Sequence, residues 1–219
     1  MPSIINSSIL KVCTGNAISV TSLGAYFKFN GDVTDSSGNS LNGTAFNSPT
    51  FPAGKYQTGI EFNGTTQYVS VPDSAFLEGS SGNISVFFWA NFVDGGTAIS
   101  KDGGGTGYRV LPRAGLDWLV TVGGNNCSRG VGPATGVWIH HGFTYNNSIV
   151  KIYENAVQVG TDVSIGAVTL ANANAMNIGR SISASSYIPA TMDEVNIWQR
   201  VLSGAEITTL YNSTCPLKA

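Results

Sequence analysis

The chain has 219 residues, 42% of them hydrophobic and only 11% charged, with a formal net charge of −2. That is enough apolar material for one substantial core, and 27 glycines beside so few charges suit many short strands joined by tight turns. Lysine and arginine are scattered, which excludes a nucleic-acid or anionic-membrane footprint, and no run reaches the roughly 18 apolar residues that membrane insertion requires.

Residues 1–22 are β-prone through Ile4, Ile5, Ile9, Leu10, Val12, Ile18 and Val20, yet polar residues interrupt them. They read as an N-terminal arm, either an extra edge strand or a tether that docks on a neighbouring subunit or particle; residues 23–219 then form one domain. The opening stretch MPSIINSSILKVCTG has no charged segment followed by an apolar one, so no secretory signal peptide is visible and classical secretion is not expected. Cys13, Cys127 and Cys215 are too far apart for a zinc site. The ends of a sandwich often meet, so the choice is a Cys13–Cys215 bridge or three reduced thiols.

In chain order, Ala25–Phe29 is a first core strand. The following loop offers oxygen ligands in Asp32, Asp35 and Asn39. These suit either Ca²⁺, which needs six to eight oxygens, or Asx-turns in which each side chain bonds its own backbone. Ile60–Phe62 and Tyr68–Val71 read as a hairpin turning at Asn63-Gly64. Ile84–Phe92 alternates Phe87 and Trp89 with Val86 and Phe88, a central strand bulky on both faces, with Trp89 assigned to the core. Glycine-rich segments at 94–96 and 101–107 lack a following Lys-Ser/Thr and a helix, so they are not phosphate loops.

Strand signals continue at 108–111, 117–122 and 138–145. Between the last two, Asn125, Asn126 and Arg129 offer donors to sugar hydroxyls or carboxylates. His140 and His141 are adjacent in a strand and point to opposite faces, one into the core and one to the surface. Residues 149–153 and 156–159 form a hairpin, and 168–170 and 176–179 lead to a final strand over 191–199. Strict alternation there places Met192, Glu194, Asn196 and Trp198 on one face and Asp193, Val195 and Ile197 on the other. Ser203 and Glu206 then stand at capping-box spacing before Ile207, Leu210 and Tyr211, a short helix. The sum is an all-β fold: a two-sheet antiparallel jelly-roll sandwich with one short C-terminal helix.

The segment DEVNIWQRVLSGAEITTLY at 193–211 resembles the C-terminal signature of the laminin G-like branch of the concanavalin A-like lectin/glucanase superfamily. DSSGN at 35–39, GIEFNG at 59–64, YVSVP at 68–72, WIHHGFTY at 138–145, VKIYEN at 150–155 and MNIGRS at 176–181 extend the likeness in chain order. The resemblance implies a jelly roll over about residues 23–212. It also implies a structural calcium joining Asp32, Asp35 and Asn39 to an acid of the last strand, here Asp193.

Relatives that hydrolyse glycans carry Glu-x-Asp-x-Glu on one strand, and no glutamate here stands in that pattern. Asp193 and Glu194 are consecutive and are expected to diverge. No Gly-x-Ser-x-Gly elbow is present either. The reading is therefore a non-enzymatic recognition or adhesion module for a glycan or cell-surface polysaccharide, at an extracellular surface or on a virion. Its candidate ligand residues are Tyr108, Arg109, Trp118, Asn125, Asn126, Arg129 and Tyr187. The alternative is a decoration or fibre protein of a phage virion, anchored to other virion proteins or to copies of itself through the N-terminal arm.

Overall fold

The computed structural model describes residues 18–130, 132–183 and 185–213. The arm over residues 1–22 therefore lies mostly outside the described residues, as do Cys13 and Cys215; Cys127 is a buried free thiol. Among the described residues fifteen strands follow one another. They begin with β1 (Leu23–Phe27), β2 (Thr44–Phe46), β3 (Ile60–Asn63), β4 (Tyr68–Val71) and β5 (Asn83–Phe92). Next come β6 (Ile99–Gly103), β7 (Thr106–Arg113), β8 (Asp117–Val122), β9 (Asn125–Arg129) and β10 (Trp138–Asn146). The series closes with β11 (Ile149–Glu154), β12 (Val157–Gln158), β13 (Val163–Ser164), β14 (Met176–Ile178) and β15 (Pro189–Trp198), before helix α1 (Gly204–Asn212). No helix among the described residues is long and apolar enough to cross a membrane.

Two antiparallel sheets result. The first runs β1-β15-β5-β10-β11-β12, with β3 on β15 and β13 on β11; the second runs β2-β4-β14-β6-β7-β8-β9. Alternation decides which side chains meet between them. Val86, Phe88, Ala90 and Phe92 of β5 face Met176, Ile178, Ile99, Tyr108, Val110 and Trp118 of the second sheet in one core. β3 and β4 belong to different sheets, so Asn63-Gly64 is not a hairpin turn. The Asn63 Oδ1 accepts from the backbone N–H groups of Thr65, Thr66 and Gln67, curling the chain into a crossover. Residues 168–170 are extended loop rather than strand.

A polar anchor enters this core from one side. Lys101 is fully buried on the inner face of β6, and its Nζ donates to Asp73 (2.7 Å), Glu78 (3.2 Å) and the Asn172 carbonyl (2.8 Å). Asn172 Nδ2 returns a bond to the Lys101 carbonyl at 2.9 Å. A buried ammonium is tolerable only when its donors are all met, and here they tie two loops to the sheet.

A second apolar cluster lies on the outer face of the first sheet. Ile207 and Leu210 of α1 cover Leu23, Tyr26, Phe87 and Trp198, each buried apolar side chain contributing roughly 1.5–3 kcal/mol. The helix starts as read from sequence: the Ser203 hydroxyl accepts from the Glu206 N–H and the Glu206 carboxylate accepts from the Ser203 N–H. Arg200 pairs with the same carboxylate at 2.6 Å. Gly142 of β10 is required here because a Cβ would sit 2.2 Å from the Phe87 ring.

His140 and His141 do face opposite ways, but neither is at the surface: both are buried. His140 packs beside Phe87 and Trp89 on the outer face, and His141 stacks on Trp118 in the inter-sheet core with ring centroids 3.2 Å apart. Burial, and then the Lys55 charge, pushes His140 down to about 3. Burial, and then His140, drives His141 well below the ordinary histidine range. In the unfolded chain both titrate near ~6.5. The unfolded state therefore binds more protons below that pH, and stability contributed by His140 is lost as pH falls from ~6.5 through about 3. Replacing His140 with Phe should flatten the urea-midpoint profile over this window, removing about 1.4 kcal/mol of pH dependence per pH unit. Parallel profiles for the wild type and H140F would contradict this assignment.

Candidate functional site

The second sheet turns one face to the core, so the residues between its core positions share the other. Across the sheet, Thr44, Ser70, Asn177, Ser100, Arg109, Thr121 and Asn126 are direct partners in successive strand pairs. One unbroken polar row thus crosses all seven strands, roughly 29 Å at the usual strand spacing. Short side chains occupy its middle, with Arg109 rising on one side. Two residues along β4 from Ser70 stands Tyr68, which packs against Phe46 (centroids 4.5 Å apart, planes within 1°). The Arg180 guanidinium lies over the same ring at 3.5 Å; two groups this close to one ring occupy its opposite faces. Tyr187 meets Tyr68 edge-on at 6.5 Å. Phe46 is 39% exposed, leaving an aromatic surface beside the row.

Three polar atoms on this face have nothing to bond. Asn177 is only 4% exposed, yet its buried Oδ1 meets no donor among the described residues. Arg109 Nε and Arg180 Nε are also buried without an acceptor. Leaving a buried polar atom unmade costs about 1–3 kcal/mol; Thr97 and His140 carry such atoms elsewhere, and on this face three of them stand beside an exposed aromatic. Ser100, Asn177 and Thr121 in the middle of the row are buried, and the Ser100 hydroxyl donates to Asp102 and accepts from the Ile182 N–H. The accessible hydrogen-bonding groups of this face therefore include those of Ser70, Arg109 and Asn126, beside an aromatic edge that contributes apolar contact.

Of the residues singled out from sequence, Arg109 and Asn126 lie in the row, and Tyr187 lies beside it. Tyr108 and Trp118 do not belong: both are fully buried on the core side, so neither can stack on a ligand. Asn125 is exposed at the β8–β9 turn, where its amide faces the carbonyls of Val122 and Gly123. Arg129 is spent on the carbonyls of Thr161 and Ser128. Sequence reading passed over Phe46, Tyr68, Ser70, Asn177, Ser100 and Arg180. The usable signal was the polar-apolar alternation of β4 and β14, but it becomes a row only once strand order is known.

The residues proposed for calcium do not assemble into one donor set. Asp35 Oδ1 accepts from the N–H groups of Tyr26 (3.0 Å) and Ser37 (2.9 Å), and Oδ2 from the Ser37 hydroxyl (2.8 Å) and the Leu41 N–H (2.9 Å). Asn39 Nδ2 donates to the carbonyls of Leu23 and Gly24, and Asp32 accepts from the Thr34 N–H. N–H groups converging on a carboxylate already supply the positive charge a cation would bring. Asp32 and Asp35 make Asx-turns, and Asn39 ties the loop to the carbonyls of the edge strand β1. Among the described residues no cluster of three or more acidic, His or Cys side chains could hold a metal ion.

Asp193 lies apart, on the outer face of the first sheet, and β15 breaks its alternation there. Asp193 is opposite Trp89 and Asn196 opposite Phe87, so two residues on β15 face one on β5, and Glu194 takes a φ of 53°. This β-bulge falls where the free edge of β15 passes from β3 to β1. It overturns the expected divergence of the two acids, because both now face Tyr56. Asp193 accepts from the N–H groups of Tyr56 (2.9 Å) and Glu194 (2.8 Å), and the Tyr26 hydroxyl donates to Glu194. Burial raises Asp193 to about 8, reinforced by Glu194; burial and both carboxylates raise Tyr56 to about 12. Gly54 is needed against this carboxylate, since a Cβ there would stand 2.7 Å from Asp193 Oδ2. Trp89 is closed over by Tyr211 and by Lys55, whose Nζ is 3.8 Å from the ring centroid. Only a narrow crevice remains, lined by Tyr56, Trp89, His140, Glu194, Asn196, Leu210 and Ser213.

Residues 63–208 match the family described as the concanavalin A-like lectin/glucanases superfamily. No curated protein sequence is similar to this chain. Among solved structures, domain 4 of an extracellular arabinanase from Geobacillus stearothermophilus, solved with arabinotriose, is 22% identical with a TM-score of 0.68, covering 87% of this chain and 98% of that one. The binding domain of Paraclostridial Mosquitocidal Protein 1 is 15% identical with a TM-score of 0.72, covering 88% of this chain. A botulinum neurotoxin type C structure, whose cell entry depends on two ganglioside molecules, has the same identity, TM-score and coverage of this chain. This chain spans about half the length of those two, 52% and 51%. Such likenesses establish the shared fold.

The Asx-turn assignment of the 30–42 loop has a direct check. Millimolar Ca²⁺ or EDTA should leave the thermal midpoint unchanged, while Asp35→Ala should cost about 2–3 kcal/mol by stranding four donors. A calcium-induced rise of several degrees would restore the metal.

Proposed function

The chain belongs to the concanavalin A-like lectin/glucanases superfamily, and from that membership we propose that it is a non-enzymatic carbohydrate-binding module working at an extracellular surface. The ligand lies across the outer face of the second sheet. One observation carries this reading: the cross-strand polar row with its unsatisfied Asn177 and Arg109 atoms and the exposed Phe46 edge. A sugar chain presents hydroxyls along its length and apolar C–H faces on its rings, and this face offers donors and acceptors along a line with an aromatic flank. Neighbours solved with arabinotriose, or dependent on gangliosides, support carbohydrate as the class.

A binding rather than hydrolytic role fits the disposition of the acids. Asp102 is held by Ser100 and Arg109, and Asp117 by Arg113 and Ser128. On the other sheet, Asp193 and Glu194 face a crevice closed by α1, not a groove able to admit a sugar chain. Their bonds to Tyr56 and Tyr26 brace the bulge.

A glycan array probed with the full chain should return oligosaccharide ligands with or without EDTA. Ser70→Trp, which fills the row between Tyr68 and Asn177, should abolish that binding while leaving the melting temperature within a few degrees of wild type. Phe46→Ala should weaken it about tenfold. Binding that survives S70W would move the ligand to another face, and release of reducing ends from a bound glycan would replace the binding module with an enzyme.

A further inference from the structure

The arginines of this chain are otherwise spoken for. Arg113 pairs with Asp117 at 2.5 Å, Arg200 with Glu206 at 2.6 Å, and Arg129 donates to two carbonyls. Arg109 faces Asp102 across 3.8 Å. Arg180 differs: its guanidinium meets no acceptor and no carboxylate among the described residues, although its Nε is buried. What holds it is Tyr68, over whose ring centroid its Cζ sits at 3.5 Å, with Phe46 supporting the other side of the ring. Its position follows from the backbone. Gly179, at a φ of 96°, turns its own Cα toward Phe62 in the core, and the next residue emerges over Tyr68 on the outer face.

A guanidinium is charged at every accessible pH, and its planar fork matches the two oxygens of a carboxylate. Stacking on Tyr68 fixes that plane in advance, so little side-chain entropy remains to be lost when an anion arrives. A neutral hydroxyl would leave the half-buried charge uncompensated. Arg180 also stands next to the polar row: it lies three residues along the chain from Asn177.

Resting on the carbohydrate reading, we propose that this site selects acidic sugars, with Arg180 on Tyr68 as the receptor for a sugar carboxylate. Uronic and sialic acids both present that planar anion. No metal takes part in the contact.

Isothermal titration of the full chain in EDTA tests this with four ligands: trigalacturonate, 3′-sialyllactose, and the methyl ester of each. The acid should bind at least about tenfold more tightly than its own ester for one or both sugars, and which sugar shows the preference identifies the source of the carboxylate. Arg180→Gln should reduce the acid to the level of the ester without weakening the ester itself. Arg180→Lys, which keeps the charge but loses the fork, should retain only part of the preference. Equal affinity of acid and ester, or a preference that persists in R180Q, would overturn the acidic-sugar inference and leave a neutral-glycan module standing. The acidic-sugar inference falls in the same way if none of the four binds while the array yields a neutral ligand. Absence of any ligand on both array and titration would remove the carbohydrate reading together with it.

Discussion

Alternation along seven paired strands is the constraint on which the proposed ligand face depends. Met176, Ile178, Ile99, Tyr108, Val110, Trp118 and Val120 must point into the space between the sheets, because each buries an apolar side chain against the first sheet. Once they do, Asn177, Ser100, Arg109 and Thr121 have no choice of side. A slip of one residue anywhere would bury that row and expose its apolar neighbours. Core packing therefore aligns the polar row, and no separate device is needed to hold it. Lys101 is the exception among the inward positions: a charge on the inner face of β6 is stable only because Asp73, Glu78 and Asn172 converge on it.

The architecture was legible in the sequence because it rests on local signals: short alternating strands, turn dipeptides, and the Ser203–Glu206 cap. Trp89 was rightly read as buried, although it lies on the outer face beneath Tyr211 rather than between the sheets. The binding face was only partly legible. Arg109 and Asn126 stand out in the sequence, yet as donors in separate segments; nothing local says that β6 lies between β14 and β7. Tyr108 and Trp118 were misassigned for a related reason. An aromatic residue in a strand looks the same whether its face is core or solvent, and only the partner sheet decides. Asn63-Gly64 failed differently, since a turn dipeptide reports a bend but not whether the chain returns to the same sheet.

The bulge at Asp193–Asn196 shows where strict periodicity stops being a guide. A non-glycine residue at positive φ within a strand costs about 1–3 kcal/mol and persists only when its surroundings demand it. Here β15 must serve β3 at one end and β1 at the other, and the gap between them leaves the N–H of Tyr56 in need of an acceptor. Turning Asp193 and Glu194 to the same side supplies one, and gives the Tyr26 hydroxyl another. The two acids, expected from sequence to diverge, thus share one side and receive backbone and hydroxyl donors.

Satisfaction of hydrogen bonds distinguishes the 30–42 loop from the proposed ligand face, although Thr97 and His140 also keep unmatched atoms. Asp35 is buried and acidic and sits in a loop rich in oxygen ligands, yet each of its carboxylate oxygens already receives two donors, so it has no bonding capacity left for a ligand. Asn177 is more deeply buried than Asp35 and Arg180 is half-buried, and the atoms they bury are unmatched among the described residues. In a native fold nearly every buried polar atom finds a partner. Unmatched atoms of Asn177, Arg109 and Arg180 gather on the outer face of the second sheet beside an exposed aromatic, and this is what supports the proposed ligand face.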